Sequence, residues 1–235
     1  MAEVRAEVKT AEFDLDGGLT RALRGRAEAW EFVRGFAAYW GWPLEPGDGW
    51  DDVRLGEVEG RLGVRLPAAL REAYGLFGRR GDLTCNQDEL LAPEALYVED
   101  GVLVYQVENQ SCAYWGVPLA DLGQDDPGTV ARPDAPGARW EAWEPSLSVA
   151  CVAMIMAETL FRQDGFTDYV ELDEDVDLEV LGLRRLPDVG RGSRWFAGPD
   201  VLIRELDGGF VFVRARTEAA LDAVREAVPG DWLEG

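Results

Sequence analysis

The 235-residue sequence contains no histidine. That removes Ser-His and Cys-His nucleophilic systems, histidine-bearing metal sites and the usual general base at neutral pH. Lysine is nearly missing too, with Lys9 the sole example. Basic charge as a whole is scarce: 23 lysines and arginines stand against 45 acids, a net charge of −22. Direct nucleic-acid binding needs a basic footprint that this balance opposes. The three cysteines, Cys85, Cys112 and Cys151, form no C-x-x-C pair, so neither a zinc ribbon nor a redox motif is supported. Cys151 sits in an apolar run and reads as a small core residue. Met1-Ala2-Glu3-Val4-Arg5 is not a basic segment leading into an apolar one, so no signal peptide is expected. The longest apolar stretch, about Leu147 to Met156, is too short to span a bilayer. The expectation is a cytoplasmic chain that does not engage membranes.

What is present is enough for a sizeable core, with 47% hydrophobic residues and nine tryptophans. One domain carrying an extension is the first expectation for this length. Folded, the chain should expose roughly 10,500 Å². An even spread would put excess charges ~22 Å apart, well beyond the ~8 Å Debye length at physiological salt. Such a spread keeps a protein soluble and steers little. Clustered acids would instead attract a basic partner, since opposite potentials accelerate encounter.

Along the chain, residues 4–15 alternate weakly as a strand would, and Asp16-Gly17-Gly18 breaks the pattern. Leu23, Ala27, Trp30, Phe36, Ala37 and Trp40 then follow helical spacing over 20–40, with Thr20 as N-cap and Trp42-Pro43 as the stop. Residues 43–52 read as a loop. Two short helices follow over 53–63 and 68–78, divided by Leu66-Pro67. Residues 78–88 are polar and turn-rich. The stretches 102–107 and 112–117 read as antiparallel strands bridged by Glu108-Asn109-Gln110-Ser111. Residues 123–145 look loop-like, and 146–161 is apolar nearly all round, as a helix inside a core would be. Residues 165–179 look like an acidic linker. Asp207-Gly208-Gly209 signals a hairpin between 201–206 and 210–214, and Thr217 caps a last helix reaching Ala227. This order argues an α+β fold with a mainly antiparallel sheet.

Three stretches invite chemistry. Gly75-Leu76-Phe77-Gly78-Arg79-Arg80-Gly81 is glycine-rich but follows a helix and lacks a P-loop ending. A helix end followed by a turn explains it better, with Arg79 and Arg80 as solvated charges. Asp173-Glu174-Asp175-Val176-Asp177 opens like a calcium loop, yet Leu178 and Arg184 occupy the positions that need Gly and Glu, so no metal is expected. The run can imitate a phosphate backbone toward a basic groove, or it can be a self-repelling linker. Trp140 and Trp143 fall in a loop, where indoles either staple the loop to the body or anchor a partner. Some carboxylate pair is inevitable among 45 acids and carries no weight, so no catalytic residue or cofactor is assigned.

The succession from Trp50 to Pro127 carries a resemblance. Val53 to Gly63, Leu66-Pro67, Ala68 to Gly78, the strand Val102 to Val107, Glu108-Asn109-Gln110, Tyr114-Trp115-Gly116-Val117 and Asp125-Asp126-Pro127 together resemble the SUKH superfamily, related to yeast cell-wall-synthesis regulators. The likeness covers about 50–162, leaving 1–49 as an N-terminal extension and 163–235 as a C-terminal hairpin and helix around a single SUKH-like domain. It implies a curved, mainly antiparallel sheet flanked by helices. It also implies a protein-binding role: many bacterial members neutralise toxin domains, often nucleases or deaminases, and others are regulatory modules. No catalytic residue comes with the resemblance. Glu108, Asn109, Gln110 and Trp115 match its sheet motif, with Ser111 where a glycine is typical. The expected partner-binding set is these four with Asp125, Asp126, Asp173, Glu174, Asp175 and Asp177. The alternatives are a regulatory scaffold or ligand-binding module, and less readily a carboxylate-based enzyme.

Overall fold

The computed structural model describes residues 13–163, 165–172 and 178–234. Helix α1, Leu15–Ala22, starts where the sequence suggests the end of a strand, residues 4–12 of which lie outside the described residues. Asp14 caps it, its carboxylate accepting from Gly17 N at 3.0 Å. Gly17 and Gly18 do not break structure; they leave room. A Cβ on Gly17 would sit 2.1 Å from the Asp14 carboxylate, and one on Gly18 would press 3.2 Å from the Phe32 ring. The expected single helix over 20–40 is therefore two. Helix α2, Arg26–Tyr39, begins after an extended Gly25, so Thr20 lies inside α1 and caps nothing. It ends in a Schellman motif: Gly41, at φ +88°, lets Gly41 N bond Ala38 O and Trp42 N bond Ala37 O.

Helices α3, Asp52–Leu62, and α4, Ala68–Phe77, form as the sequence indicates, with Asp51 capping the first and Gly63 closing it in the left-handed conformation. The loop before α3 crosses α4 closely, because Gly49 offers no Cβ to meet Gly75 O, and Trp50 N donates to Tyr74 O at 2.9 Å. Arg80 is not a free surface charge. It reaches Asp48 at 2.8 Å and Asp82 at 2.7 Å, locking the start of the four-residue helix α5, Gly81–Thr84.

The first sheet holds β1, Asp88–Leu90; β2, Tyr97–Glu99; β3, Val102–Glu108; β4, Ala113–Pro118; β5, Val130–Pro133; and β6, Glu141–Ala142. Its order is β1-β3-β4-β5-β6, with β2 sharing the β1 edge of β3, and every pairing is antiparallel. The register of β3 against β4 shifts at Tyr105, a bulge that bends the pair. Residues 123–145 thus contain two strands, not loop alone.

Helix α6, Leu147–Leu160, is buried along almost its whole length. The reason is its position: α2, α4 and α5 pack on one side and a second sheet on the other. That sheet consists of β7, Phe166–Glu171; β8, Arg184–Arg185; β9, Ser193–Gly198; β10, Val201–Leu206; β11, Phe210–Ala215; and β12, Leu233–Glu234. Its order is β12-β7-β11-β10-β9-β8, again antiparallel throughout. Asp207 and Gly208 both take positive φ at the centre of the turn that Gly209 N closes on Leu206 O, within a three-residue hairpin loop. Helix α7, Glu218–Ala227, capped by Thr217, packs over β7 and β11 around Val170, Val213, Leu221 and Val224.

The acidic linker expected over 165–179 is in part a strand. In β7, Asp168 and Val170 point inward and Tyr169 and Glu171 outward, a period-2 pattern that its acidic composition hides. The α+β class with helices flanking antiparallel sheets holds, with two sheets instead of one.

Candidate functional site

Strand register decides which side chains meet. Gln106 pairs with Trp115 across β3 and β4, and Asp88 pairs with Glu108 across β1 and β3. Residues two apart share a face, so Asp88, Gln106 and Trp115 stand on one side of the first sheet. In the second sheet, Arg204 pairs with Trp195 on β9 and with Phe212 on β11. These two faces meet beside α6 and enclose a slot of about 80 Å³, floored by Ala150, Ala153, Met154 and Ala157. Trp143 closes its side, 6.1 Å from Trp115 in an edge-on arrangement. Trp115, Trp143 and Arg204 also line an adjoining open groove of about 600 Å³.

The rim is tied across the sheets. Gly190 N donates to the Glu144 carboxylate at 2.7 Å, and Arg191 reaches Glu141 at 3.2 Å. Trp143 is set by its backbone N–H on Thr129 O. Trp195 is buried and donates from Nε1 to Val189 O at 2.6 Å. The side walls are therefore held by hydrogen bonds as well as packing.

The polar groups in the slot are less well served. Gln106 is only 6% exposed, and among the described residues its side-chain amide has no hydrogen-bond partner. Arg204 donates from Nε to Ser193 Oγ at 2.9 Å and lies over the Trp195 ring. Among the described residues its terminal nitrogens have no partner. Burial pulls its guanidinium below the usual arginine range, with Asp88, Asp207 and Glu158 opposing. The Asp88 carboxyl is pushed up to about 7, chiefly by burial and then by Glu158 and Glu108, while Arg204 pulls the other way. Glu158 is also raised by burial, against the pull of the backbone N–H groups of Gln87, Asp88 and Asn86.

A raised carboxyl in the folded state holds a proton that the unfolded chain has already lost, so stability falls as pH rises through that window. For Asp88 the window runs from the ordinary Asp value of 3.8 up to about 7. Asp88→Asn should therefore gain on the native protein by about 2 kcal/mol at about pH 8, after discounting for partial exposure, and gain nothing at about pH 4. Urea unfolding of both proteins at the two pH values checks this; a constant difference would refute it.

The expected partner-binding residues that fall among the described residues do not converge. Glu108 accepts from Gln110 N at 2.8 Å and Cys112 N at 3.0 Å, so it caps its own hairpin. Asn109 and Gln110 are exposed at that turn. Asp126 accepts from Ser148 N at 2.9 Å and Ser148 Oγ at 2.6 Å, fixing the start of α6. Asp125 is exposed and lies past the opposite end of β4 from the hairpin turn. Asp173, Glu174, Asp175 and Asp177 fall outside the described residues. Trp115 is the member of the set that lines the slot; Asp88, Gln106, Trp143 and Arg204 complete it. Among the described residues no group of histidine, cysteine or carboxylate side chains is placed to hold a metal ion. No helix among them is long and apolar enough to cross a membrane. Comparison with known protein families, curated proteins and solved structures finds no match to this chain.

Proposed function

We propose that this chain is an acidic protein-binding module of the immunity type, acting in the cytoplasm, which neutralises a bacterial toxin domain by occluding its active site. The observation that carries the reading is how the charge is arranged. Arg26, Arg54, Arg71, Arg80, Arg132 and Arg225 are each drawn into contact with two carboxylates of the chain itself. Even where they meet Arg71 and Arg26, Asp52 and Asp125 keep 90% and 84% of their side-chain surface open to solvent. The charge a visitor meets is acidic, which suits a basic nuclease or deaminase domain. Tyr169, Phe210 and Leu233, more than a third exposed on one face of the second sheet, add apolar anchors. The acidic run at Asp173, Glu174, Asp175 and Asp177 belongs to this proposal as a further contact.

Capture of the tagged protein's partner, followed by assay of that partner with stoichiometric protein, tests the reading. Association should slow at least ~10-fold between ~0.05 and ~0.5 M salt, because steering is screened. A captured partner whose activity is untouched at full occupancy would reject the immunity role. The second reading, a ligand-binding module, is favoured by one observation: the slot is lined by the Gln106 amide and the Arg204 guanidinium, whose terminal nitrogens have no partner among the described residues.

A further inference from the structure

The unused donors of the slot specify a chemical class of ligand. Resting on the ligand-binding reading, we infer that the inter-sheet slot binds a small organic acid, a carboxylate on a short apolar or aromatic stem. The carboxylate lies on Arg204 and Gln106, and the stem runs out along Trp115 and Trp143 into the adjoining groove.

Size comes first. A slot of about 80 Å³ is smaller than the ~150 Å³ cavity that takes a benzene ring. It admits a head of a few heavy atoms, and the rest of a ligand must lie elsewhere. The adjoining groove of about 600 Å³ shares Trp115, Trp143 and Arg204 with the slot and adds Ala131 and Leu206. This is the size of a small-molecule site, and its indole, Ala131 and Leu206 surfaces suit a stem, beside the charged Arg132, Glu141, Arg191 and Asp207.

Charge comes second. A guanidinium presents donors in a planar fork that matches a carboxylate, and charge-assisted bonds of this kind are the strong ones. The Nε of Arg204 is used on Ser193, while the terminal nitrogens remain free of partners among the described residues. The Gln106 side chain lines the same slot, and its NH2 supplies a second donor. The opposing acids do not cancel this. Glu158, facing from α6, is occupied by three backbone N–H groups, and Glu108, facing from β3, by two. Asp207 follows β10 at its hairpin turn. Asp88 is the remaining acid in the slot, and it titrates near neutrality. Protonated, it leaves Arg204 as the slot's charge; ionised, it competes with the ligand for Arg204. Binding should therefore weaken as pH rises through about 7.

The test titrates the full chain with 3-phenylpropionate and with its neutral amide, by calorimetry and indole fluorescence. At about pH 6 the acid should bind at least ~10-fold tighter than the amide, and should lose about 10-fold at about pH 8. Arg204→Gln should lose the preference for the acid. Asp88→Asn should hold its affinity at about pH 8, a gain that misfolding cannot imitate. Equal binding of acid and amide would overturn the carboxylate assignment while leaving a ligand-binding slot. Displacement by equimolar inorganic phosphate would overturn it in favour of a phosphate site. No binding of either probe by the native protein would sink the assignment and the ligand-binding reading together.

Discussion

Glu158→Ala is expected to lower the unfolding free energy by about 3–5 kcal/mol, measured by urea denaturation. The side chain is 1% exposed near the end of α6. It accepts from three consecutive backbone N–H groups: Asn86 at 2.5 Å, Gln87 at 2.8 Å and Asp88 at 2.9 Å. The same turn is held again by Asn86 Nδ2 on Glu158 O at 3.0 Å. Truncation strands three half-buried donors at once, each costing about 1–3 kcal/mol if water cannot reach it. Glu158→Gln keeps one acceptor oxygen but turns an NH2 toward a donor, so it should lose about 2 kcal/mol. A loss below about 1 kcal/mol for the alanine variant would mean that water replaces the carboxylate. The effect also reaches the slot, because these bonds fix the residue that begins β1, Asp88. A variant that still folds should show an altered indole environment at Trp115.

Composition alone does not reveal such contacts. The stretch 146–161 reads as a buried helix because it is apolar on every side, and the structure adds the cause, a sheet on one flank and helices on the other. Asp207-Gly208 and Thr217 declare their turn and cap locally, and both form as expected. Local signals fail where tertiary contacts decide. Gly17 and Gly18 look like a break but are spaces left for Asp14 and Phe32. Asp168 looks like one more acid of a linker but is a strand residue turned inward. The slot is readable by half. Trp115 stands out as an aromatic in a strand beside a polar turn. Gln106, its cross-strand neighbour, lies in an apolar run and gives no such signal. Once the 102–107 and 112–117 pairing is drawn, register alone places Gln106 opposite Trp115. Arg204 cannot be found this way, because nothing local says that its sheet packs across from the first.

The second large effect sits in the far sheet and turns on which partner is buried. Asp168 has no exposed side-chain surface, while Arg225, reaching it from α7 at 2.5 Å, keeps 30% of its own. Two guanidinium nitrogens meet the same carboxylate oxygen, and the other oxygen accepts from Tyr169 N at 2.8 Å. Arg225→Met should therefore cost about 3 kcal/mol, because it leaves a buried carboxylate with one hydrogen bond and no countercharge. Asp168→Asn should cost less, about 1–2 kcal/mol, since the abandoned guanidinium can turn to water. Combining Asp168→Leu with Arg225→Met removes both charges and should recover most of the loss, as apolar replacements of buried pairs often do. The three variants together separate the value of the pair from the cost of orphaning one member. If Arg225→Met and Asp168→Asn proved equal, burial of the acid would not be the controlling term, and α7 would be held to β7 chiefly by Leu221 and Val224 packing on Val170.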